Sequence, residues 1–173
     1  VIHDARSTSI YAHRVKKKGL DVRAKRIVMG DLTRMGYKRI VCNSDQEPAL
    51  IAFLKDLAMD WSGEIAPARS PPGDSQSTRA VKRAVRTVMN QVRSMQDALE
   101  TKIGKMITVE SAIMSWIVDY AALLIRRHQV GADDKTPFER IKVRRSHKKF
   151  FVIWEMVLYR PPTAPGHEFA QLE

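Results

Sequence analysis

Arg39 to Leu50 reads RIVCNSDQEPAL, and this stretch decides the fold class. Ile40, Val41 and Cys42 form a short apolar run with charge before it and Asn-Ser-Asp after it, the signature of a buried strand over Lys38–Asn43 that ends near Asp45. Pro48 suits the first turn of a helix, where a missing N–H costs nothing, and Ala49, Leu50, Phe53, Leu54 and Leu57 recur at helical spacing behind it. A strand, a polar tip and a helix in that order predict an α/β protein, with the tip as a place to hold functional groups.

Working outward, Asp21 to Met35 carries Val22, Ile27, Val28, Leu32 and Met35 at helical spacing, and Gly36 supplies the stop. Before it, Val1 to Val15 predicts two short extended segments around a polar turn at Ala5-Arg6-Ser7-Thr8. Glu64 to Ala68 is a weaker strand candidate, and Pro71-Pro72-Gly73-Asp74 is loop by its turn chemistry.

Residues 77–100 make the clearest helix. At about 100° per residue, Val81, Val85, Val88, Val92, Met95 and Leu99 share one stripe. Arg79, Lys82, Arg83, Arg86 and Arg93 share the opposite side, and the next carboxylate on this helix is Asp97. A charge stripe is commonly only a solvated face. It also attracts polyanions, because clustered cations release counterions from phosphates. The composition agrees with either reading: 30 Lys and Arg against 19 Asp and Glu give a net charge of +11, with pI near 10.

Val109 to Arg127 is apolar almost all round, which predicts a helix buried on several sides or lying at a subunit contact. Its apolar core, Ala112 to Ile125, includes Asp119 and is shorter than the roughly 20 residues of a membrane span, so no membrane partner is expected. Thr136-Pro137-Phe138-Glu139 can start a further short helix, and the basic run Arg144-Arg145-Ser146-His147-Lys148-Lys149 follows it. Phe150 to Tyr159 is β-prone, and Pro161 onward has the composition of a linker. The organisation expected is a core-like domain over residues 1–145, a β-prone extension over 146–160 and a linker or the start of a further segment over 161–173. A chain of this length holds one ordinary domain.

A single cysteine, Cys42, excludes an internal disulfide and a cysteine-based zinc site, and it suits packing as a small apolar residue in the strand. His3, His13, His128, His147 and His167 never pair at metal-ligand spacing, so solvated or structural roles are expected for each. The chain begins Val-Ile-His-Asp, with no charged leader and apolar run, and reads as a fragment of a longer polypeptide.

Several motifs, in order, resemble the catalytic core of retroviral and retrotransposon integrases, a branch of the ribonuclease H-like superfamily. SDQEP at Ser44–Pro48 is similar to the family's aspartate segment at the end of a central strand. PPGDSQS, in the stretch Ser70–Ala84, is similar to its proline-rich, glutamine-serine segment, and GADDKTPFERIKVRR at Gly131–Arg145 resembles its glycine, threonine-proline, aromatic-glutamate signature. The resemblance covers roughly residues 1–160. It implies a ribonuclease H-like α/β fold with a mixed central sheet flanked by helices, nucleic-acid binding, a nuclear location, DNA or RNA as partner, a homo-oligomer, and DNA strand transfer dependent on magnesium or manganese.

The family's chemistry uses three carboxylates on two divalent metals, which prefer oxygen ligands. Asp45 matches the second aspartate. Lys82 stands where the glutamate belongs, with residues 46–81 between them giving the family's spacing. A protonated lysine presents donors only and cannot ligate a metal. Asp74, in the preceding loop, is a poor substitute, Asp4 reads as a turn residue, and the first aspartate is expected upstream of Val1. The expectation is therefore an integrase core-like domain with impaired catalysis, weak or no metal binding, and Lys82 beside Asp45 as an ion pair in place of the metal charge. Further departures are Thr78 and Arg79 in place of asparagine-glycine, Val143 in place of a glycine, and Trp154 in place of the glycine preceding Glu155. Two other classes stay open: a non-catalytic module that grips DNA or RNA with the basic helix face and residues 144–149, and a structural domain that oligomerises through Val109 to Ile125.

Overall fold

The computed structural model describes residues 1–44, 47–68 and 75–146, with residues 75–78 as backbone only. Strand β1 (Ile2–His3) pairs antiparallel with β2 (Ile10–Tyr11), then come helix α1 (Val22–Met35), strand β3 (Arg39–Asn43), helix α2 (Pro48–Asp60), strand β4 (Glu64–Ala68), and helices α3 (Ser75–Ile103), α4 (Ala112–His128) and α5 (Pro137–Lys142). Strands β3 and β4 pair in parallel, with Ile40 opposite Ile65 and Cys42 opposite Pro67. The protein is thus mixed α/β. Among the described residues its strands form two separate two-stranded ladders, where a single mixed sheet is the expectation from sequence.

Strand β2 explains why the helices gather around so little sheet. Successive residues of a strand point to opposite faces. Ile10 and Ala12 enter a cluster with Ala84, Val88, Val92, Met95 and Leu99 of α3 and Met114, Ile117, Ala121, Ala122 and Ile125 of α4. Tyr11, between them, enters a second cluster with Leu32 and Met35 of α1, Leu57 of α2 and Trp61 just after α2. One residue of register therefore separates two cores, and each large buried side chain contributes about 1.5–3 kcal/mol.

The helix ends follow local chemistry. Asp21 caps α1 by accepting the Ala24 N–H at 2.7 Å, and Gly36 ends it at φ 77°, a left-handed conformation that costs glycine nothing. α4 begins at Ala112, later than its apolar pattern suggests: Ser111 occupies the N-cap position without a side-chain capping bond, and Val109 is exposed. Thr136 and Glu139 form a reciprocal capping box on α5, with Pro137 in its first turn. At its other end Val143 takes the left-handed conformation, φ 54° and ψ 24°, and is almost fully exposed. A β-branched residue is strained there.

Strand β3 differs from expectation. Ile40 and Cys42 are half-buried, toward the α1–α2 core, whereas Val41 is 71% exposed, so the strand buries one face. No helix among the described residues covers its other face. Burial raises the Cys42 thiol pKa, as for a small core residue. No helix among the described residues is long and apolar enough to cross a membrane. The β-prone stretch at Phe150–Tyr159 and the linker lie outside the described residues.

Polar contacts lock the layers together. His13, just after β2, places Nε2 2.6 Å from Asp31 of α1 and Nδ1 2.8 Å from Asp119 of α4. The Asp31 side chain is fully buried and also accepts from Arg34 Nη1 at 2.8 Å. Burial alone depresses the imidazolium pKa, but the hydrogen bonds and charges of Asp119 and Asp31 outweigh it and raise His13 to about 9. Across the molecule, Arg140 of α5 bonds Asp133 and the hairpin turn at the Ser7 carbonyl, 3.1 Å away, and Thr8. Gly131 permits this, since a Cβ there would stand 2.1 Å from Arg140 Nη2. Asp4 accepts from the Arg6 and Ser7 N–H groups and, at 2.9 Å, from the Tyr37 hydroxyl, so its carboxylate is occupied in holding the turn.

Two outcomes follow for stability. His13→Asn lowers the unfolding free energy at pH 7 by about 2–4 kcal/mol, because it leaves buried Asp31 with less compensating charge. The stabilisation by protonated His13 is complete below the unfolded pKa of about 6.5 and is lost as pH rises through about 9, so urea unfolding should show the gap to wild type narrowing at pH 10. An equal or wider gap at pH 10 contradicts the clamp. Val143→Gly should stabilise by about 1 kcal/mol and raise the melting midpoint, and a lower midpoint removes the strain argument.

Candidate nucleic-acid interface

The α3 helix has a buried side and a basic side, but the apolar stripe expected from sequence is only partly covered, because Val81 and Val85 are exposed. Ala84, Val88, Val92, Met95 and Leu99 are buried against α4 and β2, while Lys82, Arg83, Arg86 and Arg93 are exposed. Arg79 is exposed on the same side. Among the described residues no carboxylate pairs with Lys82, Arg83, Arg86 or Arg93, and no acid precedes Asp97 on the helix. At 1.5 Å per residue, Arg79 to Arg93 spans about 21 Å, the length of about six base-pair steps at 3.4 Å. The cations stand on one rigid element whose opposite face is core, so holding them in line requires no further ordering.

Helix α3 also packs against β1, which places Arg83 near His3. Burial lowers the His3 pKa, Asp4 opposes this, and the Arg83 charge lowers it further, so His3 is neutral where the cations are fully charged. The face carries no aromatic side chain on which a base could stack. A positive ridge without aromatic residues suits the sugar-phosphate backbone of a duplex, whereas single-stranded sites add stacking platforms.

The other candidate residues fare differently. Arg144 and Arg145 are exposed just beyond α5, and Arg145 Nε pairs with Glu139 at 3.3 Å, which spends part of its charge within the protein. Asp45, Lys148 and Lys149 lie outside the described residues, and so does an ion pair of Lys82 with Asp45. Of the groups that the integrase resemblance brings to a two-metal centre, Lys82 is a cation at the glutamate position and the Asp4 carboxylate is taken by the turn, while Asp45 lies outside the described residues.

Sequence reading missed one charged group that matters. Asp31 falls on the same stripe of α1 as Ala24, Val28 and Met35, a position where an acid must be buried with partners. The misplaced acid on that wheel was the available signal. Its partner Arg34 stands one turn on along the same helix, whereas His13, 18 residues away, is brought to it only by the packing of β2 on α1.

Compared with known proteins, the chain matches no protein-family model, and no curated protein matches it either.

Proposed function

We propose that this domain binds nucleic acid, duplex DNA foremost, through the basic face of α3, and that it derives from a ribonuclease H-like integrase core that no longer transfers strands efficiently. The observation that carries the reading is the exposed row Lys82, Arg83, Arg86 and Arg93, unpaired among the described residues, on a helix anchored by its opposite face. The order of elements, from the hairpin through the β3–α2 strand–helix unit to α3, agrees with such an origin. The motifs at Ser44–Pro48, Ser70–Ala84 and Gly131–Arg145 support it from sequence. Lys82 at the glutamate position turns a metal ligand into a phosphate contact, which favours binding over chemistry. By the same resemblance the domain acts in the nucleus. Trp116, 57% exposed and stacked on Tyr120 with ring centroids 5.9 Å apart, supports self-association through α4 as a second property.

Fluorescence anisotropy with a labelled duplex, in magnesium, tests the reading. Arg83→Glu with Arg86→Glu should weaken binding at least about tenfold irrespective of duplex sequence, while circular dichroism stays unchanged. Lys82→Glu should weaken binding as well and bring no metal-dependent nicking. Unchanged affinity in the double variant excludes the α3 face, and robust nicking by Lys82→Glu overturns the account of the lost centre.

A further inference from the structure

A second basic site lies away from α3, at the entry to α1. Arg14, Lys16 and Arg23 surround a cavity of about 180 Å³ whose apolar wall is Val15, Ala24 and Ile27. Arg14 is braced by its Nη1 bond to the Ser111 carbonyl, 3.1 Å away, which leaves its remaining N–H groups available. Lys16 and Arg23 have no hydrogen-bond or ion-pair partner among the described residues. Their neighbours behave otherwise: Lys18 pairs with Glu47, and Lys25 pairs with Asp56 at 2.9 Å and Asp60 at 2.6 Å. Glu47 and the α2 acids Asp56 and Asp60 thus take up Lys18 and Lys25, and among the described residues no acid pairs with Lys16 or Arg23. The one acid in the lining, Asp21, is engaged as the α1 N-cap, so the cavity keeps two positive charges in excess, three cations less one carboxylate.

We propose that this cavity binds a terminal phosphate monoester. A dianion matches the excess charge, and arginine offers paired N–H donors to phosphate oxygens. The cavity is smaller than the roughly 300–1,000 Å³ of drug-sized pockets, which suits a phosphate with part of its ester group lying on Val15 and Ile27. It is concave and compact, unlike the extended ridge of α3, so an internal diester of a duplex is the poorer fit. Free mononucleotides and the 5′-phosphorylated end of a nucleic acid share this chemistry.

The test follows backbone amide shifts of the full chain while adenosine 5′-monophosphate or adenosine is added. The monophosphate should shift amides within residues 14–27 and adenosine should not, and Lys16→Gln with Arg23→Gln should weaken the effect at least about tenfold. The Arg83→Glu, Arg86→Glu variant should leave it intact, which separates this site from the α3 reading. Competition by a short single strand bearing a 5′-phosphate, but not by its 5′-hydroxyl form, identifies a chain end as the source. Failure of both strands to compete identifies the free mononucleotide. Equal shifts with adenosine, no shifts at all, or shifts unaffected by Lys16→Gln with Arg23→Gln would overturn the proposal.

Discussion

The imidazolium of His13, held between Asp31 and Asp119, is the contact on which the arrangement depends. Strands β1 and β2 are two residues each, too short to be stable as an isolated hairpin. They persist because β2 is buried on both faces and because the residue just beyond it is bonded to α1 on one side and to α4 on the other. Asp31 could not be buried as a carboxylate without this cation and Arg34, since an unpaired charge costs several kcal/mol to desolvate. A charged side chain thus joins two apolar cores that share no other strand.

That joint fixes α4, and α4 in turn fixes α3. Ala84, Val88, Val92, Met95 and Leu99 of α3 are covered by α4 and by Ile10 and Ala12, while Lys82, Arg83, Arg86 and Arg93 lie on the exposed side. The packing therefore gives the charge row a direction as well as a rigid support. Electrostatic attraction of this kind is long in range and indifferent to base sequence, which matches a surface that offers cations but no stacking ring. The entry to α1 is different in shape. There the cations surround a hollow with an apolar wall, and shape in addition to charge selects what can bind.

Much of this was legible in the sequence because it is local. The helical period of α3, the Gly36 stop, the Pro48 start and the Thr136–Glu139 cap depend on neighbours within a turn or two, and the structure places α1, α2, α3 and α5 at those signals. Val143 stands where the resemblance implies a glycine, and the backbone there is left-handed. What depends on distant neighbours was less legible. Val41 reads as core by composition, yet nothing among the described residues covers its side of β3. Whether a histidine is solvated or clamped depends on acids 18 and 106 residues away, and no local pattern encodes that. The cavity at Arg14, Lys16 and Arg23 escaped notice because the stretch reads simply as basic. The fold, and not the local pattern, brings Arg14, Lys16 and Arg23 around one hollow and pairs Lys18 and Lys25 with acids.

The central claim is that the exposed cations of one rigid helix grip nucleic acid through its phosphates. The most direct measurement is the salt dependence of duplex affinity. With Lys82, Arg83, Arg86 and Arg93 engaged, log K should fall linearly with log salt at a slope of about −4. A slope near zero, or an affinity set by base sequence at constant salt, would contradict the account.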